Sequence, residues 1–335
     1  PTNTIASPSF DTGDGFCGSV YRTKTGTILS RTGIKAIKEG CRPGFYSNAM
    51  LEWDLKSRQA TVIDVFRWNG GSGGGGALHT NFLENPTPTP RHTYDGQAYV
   101  EDEDTLYIML GANWRIGGTG ATEEAKKQLG VDNQSTWKYS FADRKWTRIE
   151  GNVNALFGCS PYESHLRYWP EGKKLIFLND GGDKYAEFDL KEQKWAKIEL
   201  KSKCPMSLYN ARSTWDSKRN LWVFRLGPKV CTFDPKTREF KALPDAYDMP
   251  ADKDDPKRGW KGIAYISKHD AYLLTGPTGN DTFVFNVEKA AWSNVKGGDM
   301  VLPNGYPQYD ARTDLVGLVF QLQTAVFKYV PEEKK

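Results

Sequence analysis

Nowhere does this chain approach the roughly 18 consecutive apolar residues that a membrane-spanning helix needs, so no such span is expected. Histidine is scarce, at four in 335 residues. Neither the histidines nor the five cysteines (Cys17, Cys41, Cys159, Cys204, Cys231) show the paired C-x-x-C or H-x-x-x-H spacings that hold zinc, so no metal is expected. The glycine run Gly70–Gly76 lacks the Lys-Ser/Thr that a phosphate-cradling loop requires. Gly13-Asp-Gly15-Phe-Cys-Gly18 has the letters of a dinucleotide fingerprint, but the strand phrase Ser19-Val-Tyr-Arg follows it where a helix is required, so no cofactor is expected. Gly70-Gly-Ser72-Gly-Gly74 has the letters of G-x-S-x-G, but no helical pattern follows it, so no nucleophile elbow is expected. The 45 Lys and Arg are interleaved with 41 Asp and Glu, and the net charge of +4 forms no basic block. That excludes a nucleic-acid footprint. Helical periodicity is nearly absent, and Glu123-Glu-Ala-Lys-Lys-Gln-Leu129 is the one convincing helical turn.

What the chain has instead is aromatic residues in a fixed phrase. An aromatic is followed seven residues later by a second, across a short charged turn: Phe188 and Trp195, Tyr139 and Trp146, Phe233 and Phe240, Phe285 and Trp292. Trp53 begins a copy that continues into Ala60, and Phe327 begins another. Apolar runs such as Leu175-Ile-Phe-Leu, Leu221-Trp-Val-Phe and Ala271-Tyr-Leu-Leu precede the pairs, each after its own charged turn. Each copy therefore holds four short strands, and copies recur at about 45–52 residues, the mark of a β-propeller. The predicted fold is all-β: one six-bladed propeller of four-stranded antiparallel blades, with repeats at 13–68, 91–150, 158–200, 205–243, 257–296 and 302–330. The last repeat lacks a fourth strand, and a strand at 3–7 (Thr4-Ile-Ala) is expected to pair with it, removing the exposed sheet edges. Residues 69–90, with Pro86-Thr-Pro-Thr-Pro90, read as a Gly/Pro-rich loop between blades. A second long insertion, Arg31 to Asn48, lies within the first repeat.

The aromatic-Asp strand ends (Trp53-Asp54, Phe188-Asp189, Phe233-Asp234), the Trp seven residues on, and the Gly pairs Gly117-Gly118 and Gly181-Gly182 resemble the kelch type of propeller. Leu226-Gly-Pro, Thr275-Gly-Pro and Gln321-Leu-Gln depart from its Gly pair. The resemblance implies a propeller architecture, on which scaffolds, glycan binders, oxidases and lyases are all found.

In such a ring the loops leading into each innermost strand share one face with the loops after each second strand. Aligned positions there differ in every copy: His92, Pro161, Ser207 and Arg258; then Tyr94, Glu163, Tyr209, Trp260 and Asn304; then Asp95, Ser164, Asn210 and Lys261. Chemical variety on a repeating scaffold suits a ligand-reading site. The expected binding set is Arg91, Tyr94, Glu163, His165, Asn210, Arg258, Trp260, Lys261, Asn304 and Tyr306. Aromatics stack on sugar faces, and Arg, Lys and Asn donate to carboxylates or hydroxyls. The favoured function is recognition of a glycan or protein partner on this axial face by a monomer. The alternative is a polysaccharide lyase acting on uronates by β-elimination. In it Arg258 or Lys261 neutralises the carboxylate, and His92 or Tyr209 takes the proton. Asp180-Gly-Gly-Asp183 reads as a turn. Cys231 reads as a small core residue, and Cys159 and Cys204 occupy similar places before their strands in neighbouring repeats, where a bridge is one option and free thiols the other. A chain beginning at Pro1, with sequons at Asn133 and Asn280, is expected in a secreted or periplasmic setting.

Overall fold

The computed structural model describes residues 18–31, 50–57, 59–64, 88, 93–111, 135–158, 164–246, 262–275, 281–296, 306–320 and 323–331. Blade 1 holds β1 (Ser19–Arg22), β2 (Thr27–Arg31), β3 (Met50–Asp54) and β4 (Gln59–Asp64). Blade 2 holds β5 (Gln97–Val100), β6 (Thr105–Met109), β7 (Ser135–Ser140) and β8 (Lys145–Glu150). Blade 3 holds β9 (His165–Trp169), β10 (Lys174–Leu178), β11 (Tyr185–Asp189) and β12 (Lys194–Ile198). Blade 4 holds β13 (Arg212–Asp216), β14 (Leu221–Leu226), β15 (Lys229–Asp234) and β16 (Glu239–Ala242). Blade 5 holds β17 (Ile263–Ile266), β18 (Ala271–Thr275), β19 (Asp281–Asn286) and β20 (Ala291–Lys296). Blade 6 holds β21 (Gln308–Asp310), β22 (Leu315–Phe320) and β23 (Gln323–Phe327). Each sheet is an antiparallel meander in chain order, four-stranded in blades 1 to 5 and three-stranded among the described residues of blade 6.

The seven-residue spacing is the register of a hairpin. Phe188 faces Trp195, Phe233 faces Phe240, Phe285 faces Trp292, Tyr139 faces Trp146 and Trp53 faces Ala60, each pair directly cross-strand. Ring centroids stand 5.1 Å apart for Phe188–Trp195 and 4.7 Å for Phe233–Phe240, close enough for tilted aromatic packing. The aspartate after the first aromatic makes the turn. Asp189 accepts the backbone N–H groups of Lys191 and Glu192 at 2.9 Å, and Asp54 and Asp234 do the same in their blades. The turn closes on a left-handed residue, Gln193 (φ 54°) or Arg238 (φ 63°). Outer-strand tryptophans also clasp the preceding blade: Trp195 Nε1 donates to Thr136 Oγ1 at 2.8 Å, and Trp292 Nε1 to the Pro244 carbonyl at 2.8 Å.

The second strands are apolar on both faces because each sheet is packed on both sides. Leu175 and Phe177 of β10 join a core with blade 2, while Ile176 and Leu178 join one with blade 4. Six apolar cores result, one in each gap between neighbouring blades. The sixth closes the ring: Val326 of blade 6 packs with Ile28, Leu51, Trp53 and Leu55 of blade 1. Gly317 of β22 is required there, because a Cβ would meet Leu55 Cδ2 at 2.4 Å and Ile28 Cδ1 at 2.5 Å.

The predicted closing strand at 3–7, the helical turn at 123–129, the Arg31–Asn48 insertion beyond Arg31 and the 69–90 loop (Pro88 aside) lie outside the described residues. One helix was not foreseen, α1 (Val153–Phe157), on the link from blade 2 to blade 3. The Asn152 side chain accepts from the Asn154 N–H at its start, and Gly158 (φ 59°) ends it. Five residues are too few to show periodicity, so only the cap and the glycine announce it.

Candidate functional site

The inner strands β1, β5, β9, β13, β17 and β21 surround the axis. Pairing across their hairpins aligns Tyr21, Tyr99, Tyr168, Trp215, Tyr265 and Tyr309 at one level, one per blade. Each of the five tyrosine hydroxyls is held by a carboxylate. In blades 2, 5 and 6 this is the aspartate at the left-handed position of the tyrosine's own turn. Tyr99 donates to Asp104 Oδ1 at 3.0 Å, Tyr265 to Asp270 Oδ1 at 3.0 Å and Tyr309 to Asp314 Oδ1 at 2.9 Å. Blades 1 and 3 carry Gly26 and Lys173 at that position, and there the hydroxyl takes an aspartate of the neighbouring blade. Tyr21 donates to Asp310, and Tyr168 to Asp102. Blade 4 has Asn220 at the turn and Trp215 in the ring, whose Nε1 has no partner.

Cations from adjacent blades complete the arrangement. Arg22 forms a two-pronged pair with Asp104 at 2.8 Å, Arg219 another with Asp270 at 2.6 and 2.7 Å, and Lys268 reaches Asp314 at 2.9 Å. Burial alone would raise the Asp104 carboxyl, but hydrogen bonds from Arg22, Lys24 and Tyr99 outweigh it and hold it at about 2. The Tyr99 hydroxyl is pushed up to about 12 by burial and by the same carboxylate.

Inside this ring lies an axial cavity of about 520 Å³ to which all six blades contribute. The aromatic ring forms its wall, and Thr23, Glu101, Ser217, Ser267 and Ala311 stand around its mouth at the hairpin turns. Arg167, Ser213, Thr214 and Gln308 lie farthest toward the opposite face. The two guanidinium groups in the lining are already paired, Arg167 with Asp95 and Arg312 with Asp310. The cavity therefore offers aromatic faces and hydroxyls rather than an unmatched positive charge.

Beyond the cavity's inner end sits a buried polar cluster. Asp95, 2% exposed, accepts from Arg167 Nη2 at 2.9 Å and from Ser213 Oγ, and its Oδ2 stands 3.0 Å from His165 Nδ1. His165 Nε2 lies 2.9 Å from the Leu208 carbonyl, and Arg167 Nη2 also donates to the Ser213 carbonyl at 3.1 Å. Three blades meet here, and the backbone joins them too, through a parallel bridge between Asp95 and His165. Burial pushes the Asp95 carboxyl up, but Arg167, His165 and Ser213 together hold it below the ordinary carboxylate range. Phe224 and Trp222 pack edge-on against the imidazole at 5.3 and 6.2 Å. Both ring nitrogens face protein oxygens and the imidazole is buried, so His165 is not presented to a substrate.

Of the residues expected to form the site, Arg91, His92, Glu163, Arg258, Trp260, Lys261 and Asn304 lie outside the described residues. Tyr94 is buried at φ 48° on the approach to β5. Tyr306 is buried with its ring 4.4 Å from the Arg212 guanidinium, and its carbonyl accepts from Ser19 Oγ. Asn210 is half-buried at φ 61°. Tyr209 is 52% exposed, the largest ring offered to solvent among the described residues. The structure thus joins His165 with Asp95 but separates both from solvent, and leaves Tyr209 standing free on the loop face.

Sequence reasoning missed the tyrosine ring. Its signal was the phrase Tyr-x-x-x-x-Asp, present as Tyr99–Asp104, Tyr265–Asp270 and Tyr309–Asp314. Asp180-Gly-Gly-Asp183 is a plain turn: Asn179 Oδ1 accepts the N–H groups of Asp183 and Lys184, and its amide donates to Asp183. Among the described residues no cluster of His, Cys, Asp and Glu could hold a metal ion, and no helix is long and apolar enough to cross a membrane. Compared with protein-family models and with curated proteins, the chain matches none. Its assignment as a six-bladed β-propeller rests on the six sheets and the six cores between them.

Proposed function

We propose that this propeller is a non-catalytic recognition protein that takes a glycan into its axis. The observation that carries this reading is the cavity of about 520 Å³ walled by an aromatic residue from every blade. Aromatic faces with a few placed hydroxyls suit a sugar ring, which presents C–H groups on its faces and hydroxyls at its edge. Because Arg167 and Arg312 already have carboxylate partners, an uncharged saccharide fits better than a uronate. Tyr209, exposed on the loop face, supplies a second platform for a longer chain or for a protein partner. A kelch-type lineage and an extracytoplasmic setting accord with this role, supported by the aromatic-Asp phrases and by the sequons at Asn133 and Asn280. The β-elimination alternative draws on His92, Arg258 and Lys261, and no described contact favours it.

The test is binding of the full chain to an immobilised panel of neutral and uronate glycans, followed by calorimetry on the best ligand. The reading predicts a neutral saccharide whose affinity falls at least tenfold in Trp215→Ala, with the circular dichroism spectrum unchanged. Loss in Tyr209→Ala alone would move the site to the loop face. Release of an ultraviolet-absorbing unsaturated sugar would replace recognition by lyase chemistry, and capture of a protein with no glycan bound would overturn the glycan reading.

A further inference from the structure

Cys159, one candidate partner of Cys204, lies outside the described residues. The Cys204 sulfur stands 3.5 Å from that of Cys231. The two belong to different pieces of the ring. Cys204 is half-buried on the loop running from blade 3 to blade 4, and Cys231 is fully buried in β15. Both backbones are held in place. The Cys204 N–H donates to the Gly182 carbonyl at 3.2 Å, and Leu208 N–H to the Asp180 carbonyl at 2.8 Å. Gly182, at φ 64°, is pressed so close that a Cβ there would lie 2.4 Å from Cys204 Cβ. Cys231 is paired on both sides, with Phe224 and with Ala242.

We propose that Cys204 and Cys231 are a dithiol that closes to a disulfide on contact with a small-molecule disulfide, cross-linking the blade 3–blade 4 loop to the third strand of blade 4. Half-buried Cys204 is the sulfur a reagent can reach. Its thiolate attacks one sulfur of the small disulfide, forming a mixed disulfide and releasing one small thiolate. Cys231 then gives up its proton and attacks Cys204 Sγ, expelling the second small thiol. The balance is two protein thiols and one small disulfide going to one protein disulfide and two small thiols. The contact between the two sulfurs holds the Cys204 thiol below its ordinary range, while the same contact and burial raise that of Cys231, as this order of events requires. Bonding asks the sulfurs to close from 3.5 Å to about 2.05 Å, a movement within reach of side-chain rotation.

The consequence falls on a segment with two other contacts. Between the two cysteines lie Leu208, whose carbonyl faces His165 Nε2, and the exposed Tyr209. Oxidation ties this segment down and restricts the loop that carries Tyr209.

The experiment incubates the full chain with oxidised or reduced glutathione across a range of ratios. Remaining thiols are alkylated without reduction and the peptides are mapped by mass spectrometry. The proposal predicts one peptide pair joined through Cys204 and Cys231, lighter by two hydrogen atoms than its reduced sum. It also predicts a rise in Tm of about 4 °C over the reduced protein, absent in Cys231→Ala. In that variant Cys204 should stop at the mixed disulfide with glutathione, which checks the order of attack without requiring the native core. A bridge from Cys204 to Cys159, or both thiols still alkylated in fully oxidised glutathione, would overturn it.

Discussion

The two ends of the axis are built on opposite principles. At the turn face a single device repeats: an inner-strand tyrosine bound to an aspartate, which is in turn bound by a cation of the preceding blade, as in Tyr99–Asp104–Arg22 and Tyr265–Asp270–Arg219. Toward the loop face the contacts occur once only among the described residues, with Asp95, His165, Arg167 and Ser213 drawn from three blades into one buried knot. Repetition divides the work, so the loss of one copy leaves the others to hold the ring. The knot has no second copy among the described residues. The partly wet turn face is also where charges remain cheap to hydrate, whereas Asp95 has surrendered its water and depends wholly on its partners.

The sharpest way to break this contrast is Asp95→Ala. It leaves the Arg167 guanidinium and His165 buried without their carboxylate, and should lower the unfolding free energy by about 3–5 kcal/mol in urea titration. A loss no greater than that of a single turn-face contact would erase the distinction between the ends.

Next in size is an acid effect at the turn face. The Asp104 carboxyl titrates near 3.8 in the unfolded chain and at about 2 in the fold, where burial is outweighed by Arg22, Lys24 and Tyr99. Between those values the folded state binds fewer protons. The stabilisation is therefore fully present above about pH 4 and is lost as pH falls through about 2, amounting to about 2 kcal/mol. Urea midpoints measured from neutral pH down to pH 2 should show this slope in the native protein and a shallower one in Asp104→Asn. Equal slopes in the two proteins would place the acid sensitivity elsewhere.

Smallest is Tyr309→Phe, which removes one hydroxyl from Asp314 while Lys268 and Lys328 remain bound to it. A loss of about 1 kcal/mol is expected. A collapse comparable to Asp95→Ala would show that the repeated contacts are not independent.

The difference between the ends also decides what could be read in advance. Phe188 and Trp195 announce a hairpin because cross-strand partners on one meander are always a fixed distance apart in sequence. Six such phrases sufficed for the ring, in which blade 6 shows three strands among the described residues. The tyrosine ring was equally local, five residues from hydroxyl to aspartate in Tyr99–Asp104, and went unread because its function lies in the turn rather than in a pair of rings. The knot was not legible in this way. Asp95 stands 70 residues from His165 and 118 from Ser213, and only the rotation from blade to blade brings them together. Asp95 and His165 were each noticed singly, near the axis, but nothing in their spacing said that they would meet each other and be withdrawn from solvent. Tyr209 is the converse case, an aromatic whose exposure no periodicity foretells.

The join between blades 1 and 6 carries a consequence for biosynthesis. Ser19 Oγ donates to the Tyr306 carbonyl, Gln308 Nε2 to the Ser19 carbonyl, and Tyr21 to Asp310, at sequence separations of 287 to 289. As the chain leaves the ribosome, the flank of blade 1 that these groups cover stays uncovered until almost three hundred further residues have emerged. Val326 and Gly317 arrive later still to cover Ile28 and Leu55. Final annealing of the circle is thus a late, long-range event, and the nascent protein spends its growth with one greasy edge awaiting its mate.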